Sequence, residues 1–558
     1  MQSYGVFLRL FDKVNLLEIL DEFNLTHIKL TMATILSRKP TQEEFNAWAV
    51  EAIDSLKGIK NVVCLELPKN ADYSGLDFTC FAHRKTENGE PVQLQIITSE
   101  GSSLRKVNLR GVEITSSNFF HADLREADLS DAKCIRGHFI GADLSGAILE
   151  RAKVEESRLE FANLSKANLK DAQLIKARLA NSKLAEADLS GADLSGADFD
   201  RANLSQAKLN GANLENAKLD WAKLYRADLS RAKLDKAFLR LADCRYALFS
   251  GASLANADLG CVDMRHAVAT DCIFSGAKLS SAQLNFADLR NGNFSKADFE
   301  AATLVSAQLE GSNLDEAQLM CADFTAANLR HASLKGACGR KVNFSRAFLN
   351  GADLSKAQLP EANLISADLR RATLDGVCLE SAVAQKVNLS GASLVHARLS
   401  EIDMQHAIVT RCDLSSAVIR NAKLDSANMD SSTLVKADIS GTSLQGTSLR
   451  KARLQKVQAV ETSFYGAKLD KTTRLEEANL SHADVRKTPL AMDIGRGTDS
   501  NCSQANLDQV KLGVVTGEAP QQSNEAQRGV PKAPHGLAVG ESGMMQGPSG
   551  RIKFTRTR

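Results

Sequence analysis

The side chains best suited to nucleophilic or metal chemistry in this 558-residue chain are its eleven cysteines and ten histidines. A zinc centre needs thiolates or imidazoles paired a few residues apart, and no CxxC pair is present. His266, His331, His396 and His406 stand singly, so each is expected to be structural or solvent-facing. Cys261 and Cys321 are sixty residues apart. No P-loop, GxGxxG or HExxH motif occurs. Scattered thiols without a ladder of spacings read as reduced cysteines in a cytosolic setting. These residues predict no enzyme, no metal and no cofactor.

What positions these residues is a repeat. From Leu104 to Leu469 almost every fifth residue is Leu, Phe or another apolar side chain, giving seventy-four pentapeptides without an insertion. Ala187-Asp188-Leu189-Ser190-Gly191-Ala192-Asp193-Leu194 is representative. With the central apolar residue as i, Ala favours i−2 and Asp, Asn or Lys favours i−1. Ser or a charge takes i+1, and Gly or a polar residue takes i+2. A period of five fits no ordinary element. Five residues of α-helix advance about 500°, which scatters the Leu row around the cylinder. On a straight strand an odd period sends successive Leu residues to opposite faces. A bend in every pentapeptide brings i−2 and i to one interior, and four bends of about 90° close a square coil of about 20 residues. Coils stacked at roughly 4.8 Å make a rod of about 18–20 coils, near 90 Å long.

Energetics demand the stacking. One buried Leu contributes about 1.5–3 kcal/mol, whereas ordering five residues costs about 7 kcal/mol. Only a continuous array offsets that cost. Phe119 with Phe139, Phe274 with Phe294, and Phe324 with Phe344 recur twenty residues apart and predict rings stacked on neighbouring coils. The A(D/N)LxX pattern resembles the pentapeptide-repeat family over roughly three quarters of the chain. That resemblance implies an all-β solenoid, a right-handed quadrilateral parallel β-helix.

A block is also duplicated. Ser250 to Cys272, with Asp263, Met264, His266 and Thr270, recurs 140 residues later as Ser390 to Cys412, with Asp403, Met404, His406 and Thr410. Cys272 and Cys412 fall at inward i−2 positions, and Cys134 and Cys244 at inward centres, so all four are expected to pack as small core residues. Cys261 and Cys321 face outward three coils apart, about 14 Å, too far for a disulfide.

The ends differ. Residues 1–100 predict a small α+β capping domain that covers the open end of the rod. Phe7 to Leu20 reads as one amphipathic helix. Thr41 and Glu44 form a capping box ahead of a second, with Phe45, Trp48, Ala49, Ala52, Ile53 and Leu56 on one face and Gly58 as stop. Val62 to Leu67 reads as a strand, Ala71 to Gly75 as a stray repeat, and Asn88-Gly89 as a hairpin leading into Val92, Leu94 and Ile96. Residues 101–512 are assigned to the β-helix, whose frame slips by one residue after Leu469. Residues 513–558, rich in Gly, Pro, Gln and Ser, predict a disordered tail ending in Arg551, Lys553, Arg556 and Arg558.

Catalysis needs convergent groups in a concave site, and an Ala/Leu interior with flat outer ladders offers none. The expected function is therefore a non-enzymatic scaffold that binds a protein partner, with no small-molecule substrate. Trp221, Leu241 and Cys261 share an outward column. Tyr225, Phe238, Tyr246 and Leu248 also point outward within these coils, and an apolar cluster on a polar solenoid marks a docking patch. Among relatives, an α+β segment ahead of a long rod looks like the PipB-type effectors injected into host cells. The expected location is the cytoplasm or, through a specialised secretion system, a host cell. The Qnr and MfpA topoisomerase-binding DNA mimics are strongly acidic, whereas this rod is near neutral, which speaks against mimicry and against nucleic acid as a partner. SopA-type ubiquitin ligases carry a large catalytic domain that these residues lack. Binding to a membrane surface has only the four basic residues of the tail behind it.

Overall fold

The computed structural model describes residues 39–54, 62–67, 72–82, 84–85, 91–98, 101–491, 504–512, 542–547 and 550–555. From Ser103 to Lys468 each i−1 residue makes a parallel bridge to the residue twenty positions on, as in Ser103↔Asp123, Asp123↔Asp143 and Asp143↔Asn163. Four pentapeptides therefore complete one coil, and the chain is a parallel β-helix with four walls. Leu, Phe, Met and Ala at i and i−2 form one buried core along its length.

Accounting for backbone N–H groups explains the consensus. Around Leu124, Asp123 N donates to Ser102 O of the preceding coil at 3.1 Å. Leu124 N and Glu126 N donate to Asp143 O and Ser145 O of the following coil, and Ala122 N closes a turn onto Phe119 O. One amide per pentapeptide, that of i+1, is left without a backbone acceptor. Its acceptor is the i−1 side chain: Arg125 N donates to Asp123 Oδ1 at 3.1 Å, and Ser190 N and Oγ both donate to Asp188 Oδ1. Asp or Asn at i−1 thus satisfies the amide the fold orphans. Where i−1 is Phe or Ser, an Asp at i+1 of the coil before does the same, as Asp220 does for Arg240 N beside Phe238 and Asp235 for Ala255 N beside Ser253.

The i+2 residue turns each corner in the left-handed region, with Glu126 at φ 57° and Gly191 at φ 69°. Glycine and Asn adopt this conformation cheaply, and bulky residues do not. Phe119 stacks on Phe139 at 4.8 Å, Phe274 on Phe294 at 4.9 Å and Phe324 on Phe344 at 5.1 Å. The twenty-residue spacing meant what it implied.

At the N-terminal side, α1 (Gln42–Asp54) starts at the expected capping box: Thr41 N donates to Glu44 Oε2, and Glu44 N to Thr41 Oγ1. Its Phe45 packs edge-on against Phe78 at 4.5 Å, and Trp48 lies 6.1 Å from Phe81. β1 (Val62–Leu67) pairs in parallel with β2 (Gln93–Thr98). Asp72 and Asp77 bridge to Ser103 and Asn108, and Ile97 bridges to Asn118. Coil stacking thus begins before residue 101, and the boundary placed there falls inside a continuous stack and core. Tyr73 and Phe78 fill central positions, which makes Asp72–Gly75 a true coil edge. The Lys85–Pro91 antiparallel bridge flanks the expected hairpin, whose Asn88-Gly89 tip lies outside the described residues, as do Phe7–Leu20, Leu56 and Gly58.

After Leu469 one extra residue enters the coil. Arg453, Gln458 and Ser463 pair twenty-one positions on, with Arg474, Asn479 and Asp484. Leu475, Leu480 and Val485 take up the core row. Asn506 and Lys511 then cover Asn479 and Asp484, leaving Leu507 exposed. Residues 514–558 form a separate unit. There β3 (Ser542–Gly547) pairs antiparallel with β4 (Gly550–Thr555), so the expectation of a wholly disordered tail is corrected over these strands. Two six-residue segments around Pro548-Ser549 are long enough to pair, which a reading by composition passes over.

Candidate partner-binding surface

Each corner column is a row of i+2 residues from successive coils, so twenty-residue spacing places side chains directly one above another. Trp221, Leu241 and Cys261 occupy one such column and are exposed, Trp221 by 52%. All three are left-handed, at φ 59°, 58° and 56°. Phe238 lies on the wall leading into that corner, between Lys218 and Asp258. The next wall carries Tyr225, half-buried. Tyr246 stands at that wall's far corner, and Leu248 begins the wall beyond, between Asp228 and Val268. The seven predicted residues are thus spread over two corners and three walls. Tyr225 and Tyr246 meet edge-on at 5.8 Å.

Sequence reasoning missed the continuation of the Tyr246 corner. His266 stacks on Tyr246 at 4.9 Å and on Phe286 at 5.1 Å, so this imidazole belongs to an aromatic ladder. Phe286 is 54% exposed and left-handed at φ 61°. The signal was present in the spacing Tyr246, His266, Phe286, the same twenty that revealed the buried Phe pairs. Arg226 sits over the rings of Tyr225 and Tyr246, and Arg245 over Tyr225 at 5.8 Å.

Between the two corners the wall is knitted by ion pairs. Arg245 holds Asp243 bidentately, Nε and Nη2 donating to its two carboxylate oxygens at 2.8 Å, and Arg265 holds Asp263 the same way. The Arg245 hydrogen bonds keep the Asp243 carboxyl below the usual carboxylate range. Beside Trp221, burial raises the Asp220 carboxyl, with repulsion from Asp200 and Asp258 adding to it. The surface is therefore apolar at two edges and charge-compensated between them.

Cys134, Cys244, Cys272 and Cys412 are buried as their inward positions implied. Burial pushes the Cys272 and Cys412 thiols up to about 12, which keeps them protonated and poor nucleophiles at neutral pH. Among the described residues no group of His, Cys, Asp and Glu could hold a metal ion, and no helix is long and apolar enough to cross a membrane.

The family profile described as Pentapeptide repeats matches this chain in overlapping stretches over residues 100–160, 162–235 and 247–470. The chain belongs to the pentapeptide repeat family. Its walls are the pentapeptide repeat β-helix, and the bridges continue unbroken through 236–246, between two matched stretches, where Ala237, Leu239, Ala242 and Asp243 keep the repeat pattern. No curated protein matches significantly. Among solved structures, the chain is similar to HetL, a pentapeptide repeat protein involved in heterocyst differentiation regulation in the cyanobacterium Nostoc, at 26% identity, covering 42% of this chain and 87% of that one, TM-score 0.24. It is similar to QnrB1, a plasmid-mediated fluoroquinolone resistance protein, at 20% identity over 37% of this chain and 92% of that one, TM-score 0.21. A pentapeptide repeat protein of the cyanobacterium Cyanothece matches at 26% identity over 23% of this chain and 91% of that one, TM-score 0.13.

Proposed function

We propose that this pentapeptide repeat rod is a non-enzymatic scaffold that docks a protein partner on the wall between the Trp221–Leu241 corner and the Tyr246–Phe286 corner. One observation carries the reading. Bulky apolar residues occupy left-handed corners that the repeat mostly gives to Gly, Asn, Ser, His and charged residues; Phe161 holds such a corner elsewhere, but only here do several gather on two neighbouring corner columns, Trp221 with Leu241 and Tyr246 with Phe286. A residue with a Cβ at such a position costs about 1–2 kcal/mol against glycine, and here the side chains that bear this cost are exposed and apolar. Exposed aromatic and Arg side chains are the commonest anchors of protein interfaces. The ion-paired wall between them supplies the polar surround.

The test is capture of partners from bacterial and host-cell lysates by the full chain and by a Trp221→Asn, Leu241→Asn double variant. The proposal expects a protein retained by the wild type and lost from the variant, with the coils intact by circular dichroism. Equal capture by both would remove this surface from consideration.

A further inference from the structure

Farther along the rod, the corner made by the i+1 and i+2 residues of six successive coils opens into a cleft of about 850 Å³. Arg330, His331, Arg370, Arg371 and Arg411 line it, and Asp430 is its single carboxylate. That carboxylate is engaged by the Ser448 hydroxyl and the Arg450 amide. Elsewhere on the rod an Arg at i+1 clasps the Asp at i−1, as in Asp123–Arg125, Asp243–Arg245 and Asp288–Arg290. In the cleft only Arg370 does so, with Asp368. Among the described residues Arg330, Arg371 and Arg411 make no ion pair.

The cleft exists because alternate coils omit a side chain. Gly351 and Gly391 hold left-handed corners at φ 66° and 72°. The His331 ring lies over Gly351, where an added Cβ would come within 2.8 Å of its Nδ1. Two coils, about 10 Å, separate Arg371 from Arg411, and the same rise separates Arg330 from Arg370. Thr410 donates to Ser390 at 3.1 Å, fixing two hydroxyls on the floor.

The coils up to and including the duplicated block supply an internal control. At positions 140 residues earlier, Asn210, Gly211, Arg231, Ser250, Gly251 and Thr270 match Asn350, Gly351, Arg371, Ser390, Gly391 and Thr410. Thr270 donates to Ser250 at the same 3.1 Å. Ser190, Gly191, Ser230 and Asp271, however, stand where the cleft has Arg330, His331, Arg370 and Arg411. The frame and Arg371 are shared, whereas Arg330, His331, Arg370 and Arg411 are confined to one copy. A fold requirement would have placed them in both. The near-neutral balance of the whole rod conceals this local concentration.

We propose that this cleft binds a compact polyphosphorylated small molecule. Its volume falls within the roughly 300–1,000 Å³ of small-ligand sites. Guanidinium forks match phosphate oxygens bidentately. A nucleic-acid strand fits less well, because base stacking needs a bare aromatic face, and the nearby Phe348 ring is covered by Arg330 at 4.9 Å.

Calorimetric titration of the full chain with inorganic tripolyphosphate tests this. The expectation is one site, weakened at least tenfold in an Arg371→Ser, Arg411→Asp variant, which restores to the cleft the Asp of the other copy. An Arg371→Lys, Arg411→Lys variant, which keeps the charge without the bidentate fork, should bind between the wild type and the Ser/Asp variant with unchanged circular dichroism, which separates a binding role from a folding one. Adenosine triphosphate, inositol hexakisphosphate and vesicles containing a phosphoinositide form further arms. Tighter binding to any of them supports the proposal and identifies the source of the phosphates. Absence of tripolyphosphate binding overturns it. So does binding that the Ser/Asp variant retains, or a single-stranded oligonucleotide that outcompetes every small polyphosphate.

Discussion

The imidazole of His266 lies parallel to the ring of Phe286 at 5.1 Å and 6°, one coil along the same corner, and equally parallel to Tyr246 on its other face. Three rings thus form a ladder on the outside of a solenoid whose interior ladders are Phe on Phe. Aromatic pairs of this kind contribute about 0.5–1.5 kcal/mol each beyond their burial. Replacing His266 by Asn keeps a residue that tolerates the left-handed corner and removes only the ring. Amides of the coils carrying Tyr246 and Phe286 should then exchange faster by about threefold to tenfold, read by hydrogen exchange. Unchanged exchange would mean the rings sit in register without cohesion.

Leu241 at φ 58° places a branched side chain where the repeat favours Gly or Asn. Leu241→Asn should therefore stabilise its coil by about 1 kcal/mol, while partner capture falls. Local amide protection and capture are expected to move in opposite directions. A loss of protection would show that Leu241 packs for the fold and not for a partner.

Much of the fold was legible because one geometric requirement recurs at every repeat. Asp188 is written into the sequence by the amide of Ser190, which no backbone carbonyl can reach, and Leu189 by the interior it fills. The slip after Leu469 was equally visible, since a register is either kept or broken. The onset of the stack was not: β1 and β2 pair thirty-one residues apart, as do Asp72 with Ser103, and the eleven residues this adds to the twenty of a coil erase the period that identified the rest. At the surface, Trp221 and Leu241 stood out by type. His266 did not, because its role depends on what lies twenty residues to either side, and a residue weighed alone carries no neighbours. The cationic cleft escaped for a related reason: Arg371 and Arg411 look ordinary until their lack of an ion pair is compared with Arg125 and Arg245, each clasped to an Asp.

The Asp–Arg clasps give the rod a defined acid response. Hydrogen bonds from Arg125, Arg245, Arg290 and Arg486 hold Asp123, Asp243, Asp288 and Asp484 below the ordinary carboxylate range. A carboxyl whose folded value is depressed stabilises the fold fully above its unfolded value and loses that contribution as pH falls through the folded one. Stability should accordingly be flat near neutrality and decline from about pH 4 downward. Replacing the four arginines with Gln should make that decline shallower, measured by circular dichroism during acid titration. An unaltered profile would assign the acid response to other carboxylates.

Gly339 occupies a central position where the repeat usually places Leu or Phe, and restoring the consensus there should destabilise the rod. An added Cβ would stand 2.6 Å from the carbonyl carbon of Leu319 and 2.8 Å from the amide nitrogen of Met320, both backbone atoms that cannot swing aside. The burial a Leu gains elsewhere, about 1.5–3 kcal/mol, is unavailable at this site because the neighbouring coil already fills the space. Overpacking of this kind costs about 1–3 kcal/mol. Gly339→Ala is the smallest test, and Gly339→Leu the larger one. Both should lower the melting temperature and loosen amides from Leu319 to Gln358, whose carbonyl receives the Gly339 N–H. A rise in melting temperature with Leu would show instead that the two coils separate readily to admit a side chain, so that Gly339 is an accident of sequence and not a requirement of close approach.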